Sequence, residues 1–135
     1  MKTKIVLIIM ILTIVFGCQQ NKLNDNPVIR KGMIKVTILY PNGDGKRFDM
    51  DYYSNTHIPL VKSLFGDLMK GAAIDKGVGG GTPDAPVPYL AIGYLYFKNI
   101  SAYQGGIKLH LEKILADISN FTNINPVVQI SEVIQ

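Results

Sequence analysis

The hydrophobic period changes several times along the chain, and the order of these changes is the strongest constraint on its fold. Residues 33–40 and 126–134 alternate as partly buried strands do, and residues 68–76 and 88–97, which flank a loop rich in glycine and proline, also read as strands. Between the first two of these segments, and again between the last two, apolar residues recur every three to four positions, as in amphipathic helices. The pattern therefore predicts βαββαβ, the order of a ferredoxin-like α+β domain, over residues 33–135.

The first predicted helix begins at Asp49, a residue type that caps helix N-termini well. Its inward-facing residues follow helical spacing and include a histidine: Met50, Tyr53, His57, Leu60, Val61 and Leu64. Pro59 has no N–H to donate to Asn55, so we expect a kink or a restart near residues 57–59. The second helix is expected to begin near Asn99 or Ser101.

The strand predicted at residues 88–97 carries large apolar side chains on both faces. A ferredoxin-like unit has helices on only one face of its sheet, so something else must cover the other face. A second copy of the same sheet is the simplest cover, which predicts a homodimer. Leu95 and Phe97 are the first positions at which an added charge is expected to split it, if their face is the outward one.

The N-terminal segment is typical of an exported protein. A basic start leads into an apolar run over residues 5–16, which is too short to cross about 30 Å of hydrocarbon comfortably. Gly17 and Cys18 follow it and resemble the lipobox of bacterial lipoproteins. We therefore expect a signal peptide in residues 1–17 and an acylated cysteine with a polar tether in residues 18–32. The protein would then be anchored to a membrane, at the outer membrane or periplasmic face in a double-membraned host; the alternative is an uncleaved signal anchor with an ordinary buried cysteine.

The charge balance argues against nucleic acid as a partner. The formal net charge is +4, but residues 33–135 contain nine basic and nine acidic side chains. Binding to a phosphate backbone needs Lys and Arg clustered on one face. The chain also has no nucleophile elbow, zinc-protease motif or dinucleotide fingerprint, which argues against the usual hydrolase, metalloprotease and Rossmann chemistries.

Several segments, in order, resemble the EthD family of proteins. The opening of the domain carries three of them: residues 33–41 (MIKVTILYP), 48–53 (FDMDYY) and 57–61 (HIPLV). The closing part carries three more: residues 116–118 (ADI), 120–123 (NFTN) and 126–133 (PVVQISEV). The resemblance covers nearly the whole predicted domain, and the export signal is its one departure, since most family members look cytoplasmic.

This resemblance implies a dimeric α/β barrel. That architecture is also used by small cofactor-free monooxygenases, polyketide cyclases, muconolactone isomerases and dehydratases. We expect an enzyme without a cofactor that acts on a small apolar molecule, by oxidation or by proton transfer. The alternative is a non-catalytic ligand-binding or scaffold dimer at the membrane. An oxidoreductase activity is inherited from the family and is not indicated by any motif here.

His57 and Tyr53 are the candidate catalytic pair. Imidazole titrates near neutral pH, and a spacing of four residues places the two side chains next to each other on the buried face of the helix. Tyr53 would orient a substrate oxygen or carry the proton. The alternative is a core histidine that bonds a backbone carbonyl left free by Pro59.

Two further residues are candidates for ligand binding. His110 lies next to the apolar stripe of the second helix and lines the same cavity, or is an ordinary, partly exposed helix residue. Asp117, Asn120 and Gln129 are polar groups near or within the closing strand; Gln129 either reaches the cavity or meets the dimer partner. Two histidines without acidic or cysteine partners at coordinating spacing do not make a metal site, so no metal is expected.

Overall fold

The computed structural model describes residues 28–135, in which four antiparallel strands form one sheet. The strands are β1 (Ile34–Pro41), β2 (Met69–Lys76), β3 (Tyr89–Phe97) and β4 (Val127–Glu132), and their order in the sheet is β2-β3-β1-β4. This order, with helices between β1 and β2 and between β3 and β4, confirms the ferredoxin-like α+β prediction. The predicted signal peptide and Cys18 lie outside the described residues.

The helices begin where their caps predict. Helix α1 (Met50–Tyr52) is capped by the Asp49 side chain, which accepts a hydrogen bond from the Tyr52 N–H. A π-helical turn (Tyr53–His57) leads into α2 (Ile58–Phe65) and a 3₁₀ turn (Gly66–Leu68). Helix α3 (Ile100–Ile118) is capped by Asn99, which accepts from the Ala102 N–H, so Asn99 rather than Ser101 is the N-cap.

The π-helical turn changes which residues of the first helix face the core. A turn of this kind contains one residue more than an α-helical turn, which rotates everything after it by about 100°. Tyr53 and His57 are buried as predicted, but after the turn the buried residues are Ile58, Val61 and Phe65. The prediction that Leu60 and Leu64 belong to the buried stripe was therefore wrong, because it assumed one uninterrupted helical period. The expected irregularity before Pro59 is present and takes the form of this turn.

The helices cover one face of the sheet. Leu95 and Phe97 point toward this face: Phe97 contacts the rings of Phe65 and Tyr103, which lie on α2 and α3. The suggestion that these two residues face outward was therefore wrong. Because side chains alternate along a strand, the outward face of β3 carries Ile92, Tyr94 and Tyr96. Leu90 lies at a bulge where this alternation is interrupted, and it packs against the core.

Gly106 allows α3 to approach α2 closely. It is the buried residue of α3, and a methyl group there would overlap the ring of Phe65. Three leucines of the same helix remain exposed, Leu109, Leu111 and Leu115. Within residues 28–135, no helix has the length and apolar character needed to cross a membrane.

Candidate functional site

A set of hydrogen bonds joins the loop before α1 to the segment after α3. The Asp49 N–H donates to the Phe121 carbonyl (2.8 Å), and the Thr122 hydroxyl donates to the Arg47 carbonyl (2.8 Å). The Asn123 side chain accepts from the Arg47 N–H and donates to the Gly45 carbonyl. These bonds hold the end of α3 against the start of the first helix, so residues far apart in sequence share one site.

His57 and Asp117 form the polar centre of this site. The Nδ1 atom of His57 lies 2.7 Å from Oδ2 of Asp117, and both side chains are largely buried. The other carboxylate oxygen accepts hydrogen bonds from the Tyr52 hydroxyl (2.9 Å) and from the Asn120 amide (2.8 Å). Since a carboxylate only accepts, Nδ1 carries the hydrogen, and Nε2 is the basic nitrogen of the neutral ring.

The surroundings of Asp117 keep it ionised. Burial alone would raise the pKa of its carboxyl group, but the hydrogen bonds from His57, Asn120 and Tyr52 outweigh that effect and lower the pKa below its usual value. The hydrogen bond to Asp117, followed by burial, raises the pKa of Tyr52, so its hydroxyl remains a donor. Asp117 is therefore a fixed negative charge beside the imidazole.

Aromatic rings fix the position of His57. The Tyr53 ring stacks on it nearly in parallel, with 5.5 Å between centroids, and Phe121 packs at 4.6 Å. Burial raises the pKa of Tyr53 to about 12, and burial together with the neighbouring Tyr53 also raises that of Tyr40. Both phenols therefore stay protonated at neutral pH. Tyr53 is suited to donate a hydrogen bond, not to act as a base.

His57, Tyr53 and Tyr40 line a cavity of about 150 Å³ between the sheet and the helices. The rest of its wall is almost entirely apolar and includes Val36 and Leu95 from the sheet. Residues of its wall that are about half exposed mark its opening, between α3 and β4: Leu111, Leu115 and Val128. A small apolar molecule in this space would lie against the imidazole.

The structure brings together only part of the predicted site. His57 and Tyr53 both line the cavity, side by side. His110 lies outside it, with its ring 6.4 Å from that of Phe65. Gln129 is exposed and donates to the Ser131 hydroxyl; it pairs with Thr37 on the face of the sheet away from the helices. The cavity gives no support to a ligand-binding role for these two residues, and that role stays a prediction.

The sequence pattern does not single out two residues of this centre. Asp117 reads only as a polar group near the closing strand, and no motif or spacing marks Tyr52. The one available signal was that both lie in the segments that resemble the family, FDMDYY and ADI. As for metals, the part of the chain that the structure describes contains no group of three His, Cys, Asp or Glu side chains able to hold an ion.

The family assignment follows from comparison with known proteins. Residues 45–125 match the family model described as the EthD domain, which is more than half of the chain. The chain belongs to the EthD family. The matched residues include the whole of the His57–Asp117 centre and the segments that hold it together, so the centre lies within the EthD domain.

Solved structures agree with this assignment. An EthD-like protein from Ralstonia eutropha JMP134 is 37% identical, with a TM-score of 0.74, over 78% of this chain and 96% of that one. An EthD family protein from Bacillus halodurans C-125 is 16% identical, with a TM-score of 0.53, over 76% of this chain and 99% of that one. The latter similarity concerns the fold alone. None of the curated proteins matches this EthD chain.

Proposed function

We propose that this EthD domain is a proton-transfer enzyme that acts without a cofactor on a small, mainly apolar molecule. The observation that carries the proposal is the 2.7 Å contact between His57 and Asp117, with the imidazole at the wall of an apolar cavity. An imidazole held in one tautomer by a carboxylate is the usual arrangement of a general base, because the carboxylate stabilises the imidazolium that forms.

In the proposed reaction, Nε2 of His57 removes a proton from a carbon next to a carbonyl group. The electron pair of the C–H bond forms a carbon–carbon double bond and the π pair of the carbonyl group moves to its oxygen. The protonated phenol of Tyr53 on the cavity wall supplies a hydrogen bond to that oxygen, and Tyr40 hydrogen-bonds Tyr53 from behind. The imidazolium then returns the proton to a different atom, which gives an isomer, or to a leaving group, which gives a dehydration. The same first step begins a cofactor-free oxidation, in which the carbanion reduces O₂.

Hydrogen–deuterium exchange tests this proposal without knowledge of the natural substrate. A panel of small cyclic and aryl ketones and lactones is incubated with the protein in D₂O, and loss of the α-proton signal is followed by NMR. We expect faster exchange for at least one compound, and a loss of about 10²- to 10⁴-fold in His57→Gln. Asp117→Asn should also lose rate. His110→Gln changes the histidine outside the cavity. It is the matched control and should exchange the α-proton at the wild-type rate.

The apolar wall of the cavity favours one other function, binding of a small ligand without chemistry. The same panel separates the two functions. Suppose that compounds bind to the wild type but that their α-protons exchange no faster with the wild type than with His57→Gln. That result would contradict the enzyme proposal and support the binding proposal. Equal acceleration by wild type and His57→Gln would remove His57 from the mechanism.

The proposed setting of the domain is a membrane surface, where acylated Cys18 anchors a homodimer. Cys18 follows the apolar run of residues 5–16 and is the single cysteine of the chain, so it has no partner for an internal disulfide. The dimer is supported by the outward face of β3, where Ile92 and Tyr94 are only partly exposed and no helix lies above them in residues 28–135. A second sheet packed there would form the α/β barrel that the EthD resemblance implies.

A further inference from the structure

Five of the large apolar side chains that the structure leaves exposed gather at one end of the sheet. β1 and β2 begin at this end, and β3 and β4 finish there, because Ile34 pairs with both Phe97 and Glu132 and Met69 also pairs with Phe97. Leu68, Ile100 and Ile134 follow or precede these strand ends within three residues, and Val28 and Ile29 lie just before the turn that leads into β1. We infer that this end of the domain, the basal surface, is seated on a membrane that contains anionic lipids.

The basal surface is built into the fold rather than formed by loose chain ends. The Gly32 N–H donates to the Val133 carbonyl, and the Val133 N–H donates to the Met33 carbonyl, both at 2.8 Å. A turn from Arg30 to Met33 completes the connection. These bonds hold the turn before β1 against the residue that follows β4, and Val28 and Ile134 beside them are 71% and 74% exposed. Isolated exposed residues are common, but such a group at one end suggests a contact surface.

The charges fit an anionic partner. Four basic side chains lie at or next to the strand ends of the basal surface, against two acidic ones: Arg30, Lys31, Lys70 and Lys98 against Asp67 and Glu132. The opposite end has the reverse balance: Asp44, Asp49, Asp51, Asp75 and Asp84 against Lys46, Arg47 and Lys76. Lys and Arg beside exposed apolar groups are the combination with which peripheral proteins bind anionic bilayers.

The predicted anchor is attached to the domain at the basal surface. This step rests on the proposed attachment through Cys18. Nine residues separate Cys18 from Val28, and nine residues span at most about 30 Å. This segment leads into β1, whose eight residues measure about 26 Å and run from the basal surface to the far end. The basal surface is therefore the first part of the domain that the tether reaches, and the loop that carries Val78 lies a strand length beyond it.

Fluorophores at the two ends of the full chain test the inference. Single cysteines replace Ile134 at the basal surface and Val78 in the far loop, where Val78 is 94% exposed. The protein is purified from membranes, labelled with an environment-sensitive dye and reconstituted in phosphatidylcholine vesicles with a minority of phosphatidylglycerol. We expect the dye at position 134 to shift to shorter wavelength and to be quenched by brominated lipids, and the dye at position 78 to do neither.

Charge reversal provides a second measurement. Arg30→Glu with Lys31→Glu should reduce the quenching at position 134 several-fold, whereas Lys46→Glu with Arg47→Glu, the matched pair at the far end, should leave it unchanged. Equal quenching at positions 134 and 78, or none at either, would overturn the inference. A wavelength shift at position 134 without quenching by brominated lipids would mean that another protein copy covers the basal surface, and would overturn it too.

The chain without added cysteines separates this inference from the lipid assignment. Its only cysteine is Cys18, so if the dye labels this chain, Cys18 is not acylated. In that case the same dyes are placed in a Cys18→Ser chain. Quenching at position 134 in the Cys18→Ser chain would support the basal surface as a membrane contact even though the lipid anchor is ruled out. Loss of quenching in that chain would overturn the membrane contact as well as the lipid anchor.

Discussion

Gly93 leaves open, at the centre of β3, the space that the hydroxyl group of Tyr53 occupies. A methyl group at this position would overlap that hydroxyl, so Gly93→Ala must move the Tyr53 ring and with it the stacked ring of His57. We expect a loss of about 1–3 kcal/mol in the free energy of unfolding, the usual cost of overpacking. Urea denaturation measures it. Gly79→Ala, in an open loop position, is the control and should change stability by less than about 0.5 kcal/mol.

Two adjacent glycines in α3 should respond in opposite ways. Gly105 has open space around its α-carbon, so alanine there should stabilise the helix by about 0.5–1 kcal/mol. Gly106 faces the ring of Phe65, so alanine there should destabilise the protein despite its better helix propensity. Thermal melts of the two single variants make the comparison. A gain in stability for Gly106→Ala would mean that α3 does not pack on α2 as described.

Asp117 should make stability depend on acid pH. Its pKa is lower in the folded protein than the usual value of 3.8, so its contribution is present above that value and is lost as the pH falls through the folded pKa. The difference in the free energy of unfolding between wild type and Asp117→Asn should therefore shrink as the pH falls from about 5 toward about 2. Tyr52→Phe removes one donor and should shift the loss to higher pH. A difference independent of pH would contradict the pairing.

The domain without residues 1–32 should be a dimer in solution. Ile92 lies at the centre of the outward face, paired with Leu39 and Asp75, so Ile92→Glu should place an unfavourable charge in the interface. Sedimentation at micromolar concentration should then give a monomer, with circular dichroism showing that it is folded. Val78→Glu, in the exposed loop, should remain dimeric. A folded, soluble monomer for the unmodified domain would mean that no second copy covers the sheet.

Membrane attachment should depend on Cys18. The predicted acyl chains bury far more apolar surface than a single reversible lipid, so Cys18→Ser should move the protein out of the membrane fraction after high-salt washing. Metabolic labelling with a fatty-acid analogue should give signal in the wild type and none in the variant. Unchanged fractionation together with absent labelling would rule out the lipid assignment.

The sequence predicted the fold because each element has a local signal. The alternation in β1, the cap at Asp49 and the break expected before Pro59 can be read within a few residues each. The sequence does not predict which residues of α2 face the core, because the spacing of apolar residues before the π-helical turn gives no sign of its extra residue. An uninterrupted helical period therefore predicts that Leu60 and Leu64 are buried, whereas the structure buries Ile58 and Phe65.

The sequence predicted only the part of the candidate site whose residues are close together in the chain. His57 and Tyr53 are one helical turn apart, so their spacing indicates that they meet. The partner of His57 comes from sixty residues away, and no period or spacing connects the two. The orientation of β3 was also undetermined, since its side chains are apolar on both faces and the pattern alone does not say which face meets the helices.

The bonds between Arg47 and the segment at Thr122 and Asn123 have a consequence for folding order. They close a loop of 75 residues or more, and the chain must lose the entropy of that loop before the contacts stabilise it. His57 acquires its carboxylate partner only after α3 has been synthesised and docked. A ribosome-bound chain that ends at Phe97 contains three strands and the first helix, but it has neither the cavity wall of α3 nor the charge that fixes the imidazole.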